Sequence, residues 1–483
     1  MDLDPTACYR AVEARDPRFD GRIFTAVRTT GIYCRPICPA RTPKFENVTF
    51  YSTAAAAQAA GYRPCLRCRP ETAPDLAAWQ GRSRTVGRAL ALIGGGALDR
   101  DDASVRVVAE RLGVGERQLR RLFREHLGAP PIAVAQTRRV LFAKQLIHET
   151  SMSMVDVALA AGFGSVRRFN ETFRRLYGRP PSDLRRSGSG REAAATGSAI
   201  TLTLAYDPPY DWDGTIAFLA ARAIEGVELV EADRYRRTIE IGGGSGTLEV
   251  APAVGRPALA ATISFPDVRA LPEIVARVRR VFDLAADSRA IASRLRDDPL
   301  LAPLVDASPG LRVPGAWDGF ELGVRAILGQ QVTVAAARGL AGRLVASYGN
   351  GVDSGVAGLE AAFPRAERLA GAAEGIAALG MPAARARSVA GLAAAFAADP
   401  ALLERDLDPA ATAARLTSLP GIGPWTAQYI ALRALRDPDA FPAADVGLLR
   451  AATGPDGIRP SPAALLGRAE AWRPWRAYAA QLL

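Results

Sequence analysis

Two stretches of the chain repeat the same order of apolar and polar positions. Residues 109–131 and residues 158–181 each contain a short helical pattern, a turn with glycine, and a second helical pattern that ends at Gly and Pro-Pro. In the second helices the apolar residues recur at helical spacing and predict a core, namely Leu119, Leu122, Phe123, Phe169, Phe173 and Leu176. The repeat therefore predicts an all-α double helix-turn-helix, which suits two successive segments of a DNA major groove.

Arginines occupy the outer faces of both second helices. We predict that four of them contact DNA: Arg117, Arg120, Arg167 and Arg168. A solvated basic helix is the alternative, and a GC-rich genome also favours arginine codons. The net charge of +11 and the isoelectric point of about 9.8 are therefore weak evidence alone. Because the two copies have matching turns, they favour DNA binding. The pattern resembles the AraC-type double helix-turn-helix domain over residues 84–186.

Four of the five cysteines lie in one short segment, at Cys34, Cys38, Cys65 and Cys68. Their C-x3-C and C-x2-C spacing matches a four-thiolate zinc site, since each pair can span one edge of a tetrahedron. Disulfides are the alternative. The N-terminus lacks a signal-peptide pattern and no apolar run approaches the length of a membrane span. We therefore expect a reducing, cytoplasmic (bacterial, nucleoid-associated) location and no membrane partner.

The segments FTAVRTTGIYCRPICPAR and FENVTFYSTAAAAQAAGYRPCLRCRP closely resemble the N-terminal domain of the Ada methylation-response family. The resemblance implies a structural Zn²⁺ and a nucleophilic thiolate at Cys34, which accepts a methyl group from a DNA methyl phosphotriester. Methylation removes negative charge from the cluster, which should strengthen DNA binding and activate transcription. We expect Arg35 and Arg41 near the phosphates, RNA polymerase as a partner at promoters, and Cys8 as a small buried residue.

A second resemblance lies in LTSLPGIGPWTAQYIALRAL, residues 416–435, followed by an aspartate in FPAADVGLL. Glycines Gly421 and Gly423 in a turn between helices let backbone N–H groups approach a phosphate. The combination resembles helix-hairpin-helix glycosylases and implies a DNA-gripping turn with Asp445 at the flipped nucleotide. A helix N-cap is the alternative role of Asp445. No lysine follows Lys144, so an imine mechanism is excluded and water must be the nucleophile.

The rest of the C-terminal part looks like the AlkA-type 3-methyladenine glycosylase, in segments such as GLRVPGAWDGFELGVRAILGQQVTVAAA and WRPWRAYA. The resemblance implies an aromatic pocket for alkylated bases at Phe218, Trp425 and Tyr429, with core packing as the alternative. At the position of the family's wedge leucine the chain has Gln331.

Two further departures concern Val446 and Gly447 after the aspartate, and the end of the chain at Leu483 before another pocket tryptophan. Together with Gln331 they suggest a looser pocket, an altered range of bases or weaker activity, although the intact hairpin and Asp445 still predict catalysis.

Together these patterns predict a multidomain α+β protein. ITLTLAY and the segments after it predict antiparallel strands over 199–265, and from about Pro272 the pattern is helical. The predicted parts are a small zinc-bound α/β domain (1–75), an all-α double helix-turn-helix (82–186), a flexible linker (187–198), an antiparallel sheet domain (199–285) and an all-α helix-hairpin-helix glycosylase domain (286–483).

The predicted function is an adaptive response to DNA alkylation. Cys34 records phosphotriester damage and activates transcription, while the C-terminal half excises bases of the 3-methyladenine and 7-methylguanine type by monofunctional hydrolysis. The main alternative is a regulator and methyl sensor whose glycosylase domain is degenerate and serves only DNA binding. A third possibility is an AraC-type regulator that binds a small molecule, against which the hairpin and its distal aspartate argue.

Overall fold

The computed structural model describes residues 3–75, 83–99, 104–186, 199–403, 409–454 and 457–483. The chain divides into two compact units. The first comprises Met1–Asp207, Ala253–Ala276 and Leu284–Ala286, and the second comprises Pro208–Pro252, Arg277–Asp283 and Asp287–Leu483. The predicted linker at 187–198 lies outside the described residues, and the predicted domain boundaries stay predictions.

The cysteine-rich segment of the first unit folds as a small α/β layer. Its elements are α1 (Pro5–Glu13), β1 (Phe24–Val27), β2 (Ile32–Cys34), β3 (Val48–Tyr51), α2 (Ala54–Ala59) and β4 (Arg63–Pro64). The sheet order is β3-β1-β2-β4, antiparallel except for the parallel pair β2 and β4. Phe24, Ala26, Tyr33 and Ala57 form its core. This sheet brings the end of β2 beside the end of β4, where the cysteines lie.

The all-α part of the first unit confirms the predicted repeat. Its helices are α3 (Arg84–Gly94), α4 (Val105–Arg111), α5 (Glu116–Leu127), α6 (Pro131–Glu149), α7 (Met154–Ala160), α8 (Val166–Tyr177) and α9 (Pro181–Arg186). Helices α5 and α8 both end at a glycine in the left-handed region, Gly128 at φ 69° and Gly178 at φ 68°, as is usual for a helix C-terminus. Helix α6 connects the two helix-turn-helix motifs.

The alternating pattern after residue 199 forms strands, as predicted. They are β5 (Ile200–Ala205), β6 (Glu228–Glu231), β7 (Arg234–Ile241), β8 (Gly244–Pro252) and β9 (Ala258–Ser264). In the first unit β5 pairs antiparallel with β9, and in the second unit β7 pairs antiparallel with both β6 and β8. Helix α10 (Trp212–Arg222) interrupts the strands after β5.

Helices dominate from Leu271 onward, close to the predicted change at Pro272. They are α11 (Leu271–Val281), α12 (Ser288–Leu295), α13 (Ala302–Ala307), α14 (Gly319–Leu328), α15 (Val334–Tyr348), α16 (Ala366–Leu369), α17 (Ala373–Ala378), α18 (Ala383–Ala398), α19 (Pro409–Thr417), α20 (Pro424–Arg433), α21 (Val446–Ala451), α22 (Pro462–Ala469) and α23 (Arg476–Leu482). Two short strands, β10 (Asn350–Gly351) and β11 (Ala361–Ala362), were not predicted, because two residues are too few to display an alternating period. Val324, Ile327, Leu344, Val389 and Ile430 belong to the core that supports α20.

Candidate functional sites

The four clustered cysteines meet at the ends of β2 and β4. Cys34 is the last residue of β2, and the Cys65 N–H donates to the Tyr33 carbonyl at 3.0 Å, which fixes Cys65 beside it. A tight turn, closed by the Cys38 N–H and the Arg35 carbonyl at 3.1 Å, returns Cys38 to the same place. All four Sγ atoms, including that of Cys68, lie within 4.8 Å of one another.

This geometry fits a tetrahedral zinc ion. Zn–S bonds of about 2.3 Å give sulfur–sulfur edges of about 3.8 Å, which a cluster of this size accommodates. Two backbone N–H groups point at sulfur, from Arg35 to Cys68 and from Arg67 to Cys65, each at 3.3 Å. Such donors favour the thiolate form, and sulfur ligands suit zinc.

Hydrogen bonds among the four cysteines shift their pKa values in opposite directions. Hydrogen bonding to Cys34 lowers the pKa of Cys38 to about 7, and hydrogen bonding to Cys34 also lowers the pKa of Cys65. Hydrogen bonding to Cys38 raises the pKa of Cys34, because Cys34 keeps its proton while it donates to the neighbouring sulfur. Four thiolates this close together repel one another unless a cation lies between them, so the donor set suits a metal ion.

The cysteines differ in exposure. Cys65 and Cys68 are buried, whereas Cys34 and Cys38 are partly exposed, so a substrate can approach the cluster from the Cys34 and Cys38 side. Cys8 lies in a separate core with Ala11 and Ile23, 4% exposed, and burial raises its pKa. As predicted, Cys8 is a small buried residue.

Arg35 differs from its prediction. Its guanidinium forms an ion pair with Asp20 and donates to the Cys68 carbonyl at 3.2 Å and to the Thr72 hydroxyl at 2.7 Å. The side chain is only 12% exposed. Arg35 therefore braces the metal centre, and its predicted phosphate contact is not supported. Arg41 is exposed.

The arginine faces of α5 and α8 lie outside their cores. Leu119, Phe123, Phe169 and Phe173 are buried as predicted, whereas Leu122 and Leu176 are half-buried. Among the predicted DNA contacts, Arg117, Arg167 and Arg168 are exposed and Arg120 is half-buried. Arg120 pairs with Glu116 at 2.6 Å and Arg167 with Glu171 at 2.8 Å, both one turn apart along the helix. Exposed pairs of this kind contribute little stability and can exchange for phosphate.

Asp445 in the second unit has two sets of contacts. Its Oδ1 accepts from the N–H groups of Gly447 at 2.8 Å and Leu448 at 3.2 Å, so the carboxylate caps α21. Its Oδ2 accepts from the Trp425 indole Nε1 at 2.9 Å. The cap and the indole together hold the carboxylate in one orientation, so the two predicted roles of Asp445 are compatible.

The predicted pocket aromatics are all half-buried, and Trp425 is the one that donates to this carboxylate. Trp425 stacks on Tyr429 with ring centroids 5.5 Å apart and planes 14° from parallel. Phe218 has the guanidinium carbons of Arg222 and Arg433 at 3.8 Å and 4.2 Å from its ring centroid. At least one face of Phe218 is therefore taken by a cation.

The hairpin turn connects α19 to α20. Gly421 has φ +82°, and a Cβ there would lie 1.8 Å from the Ser388 hydroxyl oxygen, so no other residue fits. Gly423 caps α20 and has open space in front of it. The amide of Gln330 donates to the Gly421 carbonyl and to the Thr426 hydroxyl, both at 2.9 Å. Next to it, the exposed Gln331 has φ +55°, a conformation that is strained for a residue with a side chain.

Some contacts at these sites were not foreseen. Trp425 was predicted as a stacking ring, and the hydrogen bond from its N–H to Asp445 was not predicted. No sequence pattern pointed to the contacts of Gln330 or Arg433. Arg433 is buried, which lowers its pKa to about 10, and it donates to the Gln481 side chain at 2.6 Å. Lys144 could have been singled out in the sequence, because the chain has only one other lysine, Lys44.

Four known protein families match successive segments of the chain. Residues 7–71 match the metal binding domain of Ada, residues 108–187 a helix-turn-helix domain, residues 201–318 the AlkA N-terminal domain, and residues 324–477 the HhH-GPD superfamily of base excision DNA repair proteins. The cysteine cluster is therefore a zinc centre of the Ada type, and DNA is the partner of the chain.

One relative spans all of these segments. The chain is 43% identical over 485 residues to a Mycobacterium tuberculosis (strain CDC 1551 / Oshkosh) protein named as a bifunctional transcriptional activator/DNA repair enzyme AlkA, covering 100% of this chain and 96% of that protein. The chain belongs to this family of bifunctional activator and repair proteins. The predicted combination of an Ada-type regulator with a base-excision glycosylase is confirmed at this level.

Two further similarities concern the glycosylase half of the family. The chain is 37% identical to DNA-3-methyladenine glycosylase 2 of Escherichia coli (strain K12), over 57% of this chain and 94% of that protein. The 3-methyladenine DNA-glycosylase from Archaeoglobus fulgidus has the same fold, with a TM-score of 0.52 at 22% identity over 58% of this chain and 96% of that one. Across the described residues, no helix has both the length and the apolar character needed to cross a membrane.

Proposed function

We propose that Cys34 accepts a methyl group from methyl phosphotriesters in DNA and that the methylated chain activates transcription. The observation that carries this is the four-sulfur cluster within 4.8 Å, in which Cys34 is partly exposed and Cys65 and Cys68 are buried. Cys38 is also partly exposed, so the choice of Cys34 rests on its position in the IYCRP motif of the Ada family.

The reaction is a direct displacement. The Cys34 sulfur forms a bond to the methyl carbon, the methyl–oxygen bond breaks, and the electron pair leaves on the phosphate oxygen as an anionic diester. Bound zinc supplies a thiolate at neutral pH. The product is a thioether, and the cluster loses one negative charge, so its repulsion from the DNA backbone decreases.

Mass spectrometry tests this assignment. After incubation with duplex DNA that carries methyl phosphotriesters, the peptide containing Cys34 should gain the mass of one CH2 group per chain. Modification of Cys38, or of no cysteine, contradicts the assignment.

We also propose that Asp445 serves hydrolysis of the glycosidic bond of alkylated bases. The contact between Trp425 Nε1 and Asp445 Oδ2 at 2.9 Å carries this, because it leaves the carboxylate oriented beside a stacked aromatic pair. The bond between C1′ and the base nitrogen breaks with its electron pair on the base, and water bonds to C1′ and releases a proton. Asp445 stabilises the positive charge that develops on the sugar or orients the water.

Release of free 3-methyladenine from alkylated DNA tests the second activity. Wild-type protein should release the base and Asp445→Asn should not. If neither protein releases any, the domain is retained for DNA contact and the chain is a regulator alone.

For the DNA contacts we propose Arg41, Arg117, Arg120, Arg167 and Arg168 on phosphates or base edges, and the N–H groups at Gly421 and Gly423 on a phosphate. Gln331 is proposed to fill the space left by a flipped base. The partner at promoters is RNA polymerase, and the protein acts in the cytoplasm at the nucleoid.

A further inference from the structure

Helix α6 of the DNA-binding region contacts the metal-binding loop, residues 65–71. Lys144 on α6 is fully buried, and its ammonium donates to the Cys65 carbonyl and to Glu71 Oε2, each at 2.7 Å. The side chains of Lys144 and Glu71 are 0% and 1% exposed. Cys65, one of the four metal-binding cysteines, is thus hydrogen-bonded directly to the helix that joins the two helix-turn-helix motifs.

The other end of the same loop is also tied to α6. Arg69, which directly follows Cys68, has φ +52° and donates to Glu71 at 3.0 Å and to Glu149 at 3.1 Å. Glu149 is the last residue of α6. The loop is therefore held on α6 at two points five residues apart, near Lys144 and near Glu149.

A third contact reaches the helix that reads DNA. The Thr53 hydroxyl caps α2 by accepting from the Ala56 N–H at 3.0 Å, and it donates to the Leu127 carbonyl at the end of α5 at 2.7 Å. At Gly128 a Cβ would lie 2.9 Å from the Ala56 side chain. The metal-binding segment therefore packs closely on the C-terminus of α5 as well as on α6.

A buried ion pair is an unusual way to join two segments. Burial of Lys144 lowers its pKa, while the charges of Glu71 and Cys68 oppose that shift. Apolar side chains of similar size would often join the segments at least as stably, because the desolvation of two charges can exceed their attraction. What the ion pair adds is a response to nearby charge, since electrostatic interactions are stronger in a medium of low dielectric constant.

We propose that the Lys144–Glu71 pair transmits the charge state of the sulfur cluster to helices α5 and α6. When Cys34 is methylated, the cluster loses one negative charge, and the balance of forces on the Lys144 ammonium and the Cys65 carbonyl changes. Helix α6 then shifts its packing against the loop, and α5, which Thr53 holds to the metal-binding segment, changes its packing as well. This inference rests on the proposed methyl transfer to Cys34.

Hydrogen–deuterium exchange of the full chain tests the proposal. Wild-type protein is compared before and after complete methylation by excess duplex DNA carrying methyl phosphotriesters, with the DNA removed. The amides of α5 and α6 should change their exchange rates on methylation. In a Lys144→Met/Glu71→Gln double variant, which removes both buried charges and leaves Arg69 paired with Glu149, that change should be lost.

Lys44→Met is the matched control, because Lys44 is the other lysine and its side chain is 79% exposed. It should respond as the wild type does. If the double variant resists methylation by DNA, Cys34→Met in each background installs a thioether sulfur genetically and allows the same comparison.

The outcomes separate this inference from the proposed function. Absence of the methyl group from wild-type Cys34 contradicts the proposed function. Methylation without any change in α5 and α6, or the same change in the double variant as in the wild type, overturns the transmission by Lys144 and Glu71 while leaving methyl transfer intact.

Discussion

The metal centre and the Asp445 site hold their reactive atoms in different ways. At the metal centre the four sulfur atoms are mutual neighbours, and the removal of any one of them changes the charge and geometry of the other three. Asp445 is held instead by neutral donors, two backbone N–H groups and the Trp425 indole.

The difference predicts different sensitivity to substitution. A metal centre with mutual ligands should lose its function completely, whereas a carboxylate with several independent donors should lose it in steps. The proposed roles of the two sites also differ, because a methylated sulfur would be used up, whereas a carboxylate would return to its starting state after each cycle.

The largest effect is expected from Cys34→Ser. Methyl acceptance should be lost entirely, because serine supplies neither the thiolate nor a good zinc ligand. Base excision should continue, since Asp445 lies in the other unit. Mass spectrometry after exposure to phosphotriester DNA measures the first effect, and Cys8→Ser is the matched control that should still be methylated. Continued methylation of the Cys34→Ser chain at another cysteine would falsify the assignment of the acceptor.

Asp445→Asn should lower kcat for base release by about a thousandfold, because the negative charge that stabilises the transition state is removed. Asparagine remains a good helix cap, so the stability of α21 should change little. The assay is release of 3-methyladenine from alkylated DNA, with the exposed Asp213→Asn as control. An Asp445→Asn enzyme as fast as the wild type would show that the carboxylate is only a cap.

Trp425→Phe separates the hydrogen bond from the ring. The ring can still stack on Tyr429, but the donor to Asp445 Oδ2 is lost, and kcat should fall roughly tenfold, as expected for a hydrogen bond to a charged group. KM should change little. The assay is kcat and KM for base release, and Trp212→Phe is the control, because the Trp212 indole donates to the Ala232 carbonyl instead. If KM rises while kcat is unchanged, Trp425 contributes to binding and does not orient Asp445.

The smallest effect concerns pH and the first unit. Burial, and then the charge of Arg69, lower the pKa of His148 to about 4, with Lys144 and Arg185 adding to the decrease and Glu71 opposing it. The unfolded chain binds a proton at His148 below about pH 6.5, whereas the folded chain does so only near pH 4. The stabilising contribution is therefore present above about pH 6.5 and is lost as the pH falls towards 4.

This pH dependence can be measured as the temperature at which the full chain releases zinc to a chromogenic chelator. Between pH 7 and pH 5 the wild type should lose more stability than His148→Gln, which does not titrate. Equal losses in the two proteins would mean that His148 does not contribute.

Features encoded by nearby residues could be predicted from the sequence. The C-x3-C and C-x2-C spacing, the glycines that end α5 and α8, and the start of helical structure near Pro272 all depend on local geometry. The contact between Asp445 and Trp425 was expected only as proximity, through family resemblance.

Contacts between distant segments could not be predicted in this way. Arg35 adjoins Cys34, yet its Asp20 partner lies 15 residues earlier and turns the side chain towards the interior. Arg433 lies over Phe218, more than 200 residues away. Such pairings depend on tertiary packing, which period and spacing do not describe.

As the proposed acceptor, the partly exposed Cys34 would let each chain record one methylation event. The carbon–sulfur bond of the resulting thioether resists hydrolysis, so one chain stores one event for its whole lifetime. The cell can erase that record only by degrading the chain or by diluting it through growth. Under the proposed functions, the number of copies present before damage would limit how many lesions can be counted, while the Asp445 site on the same chain would continue to turn over.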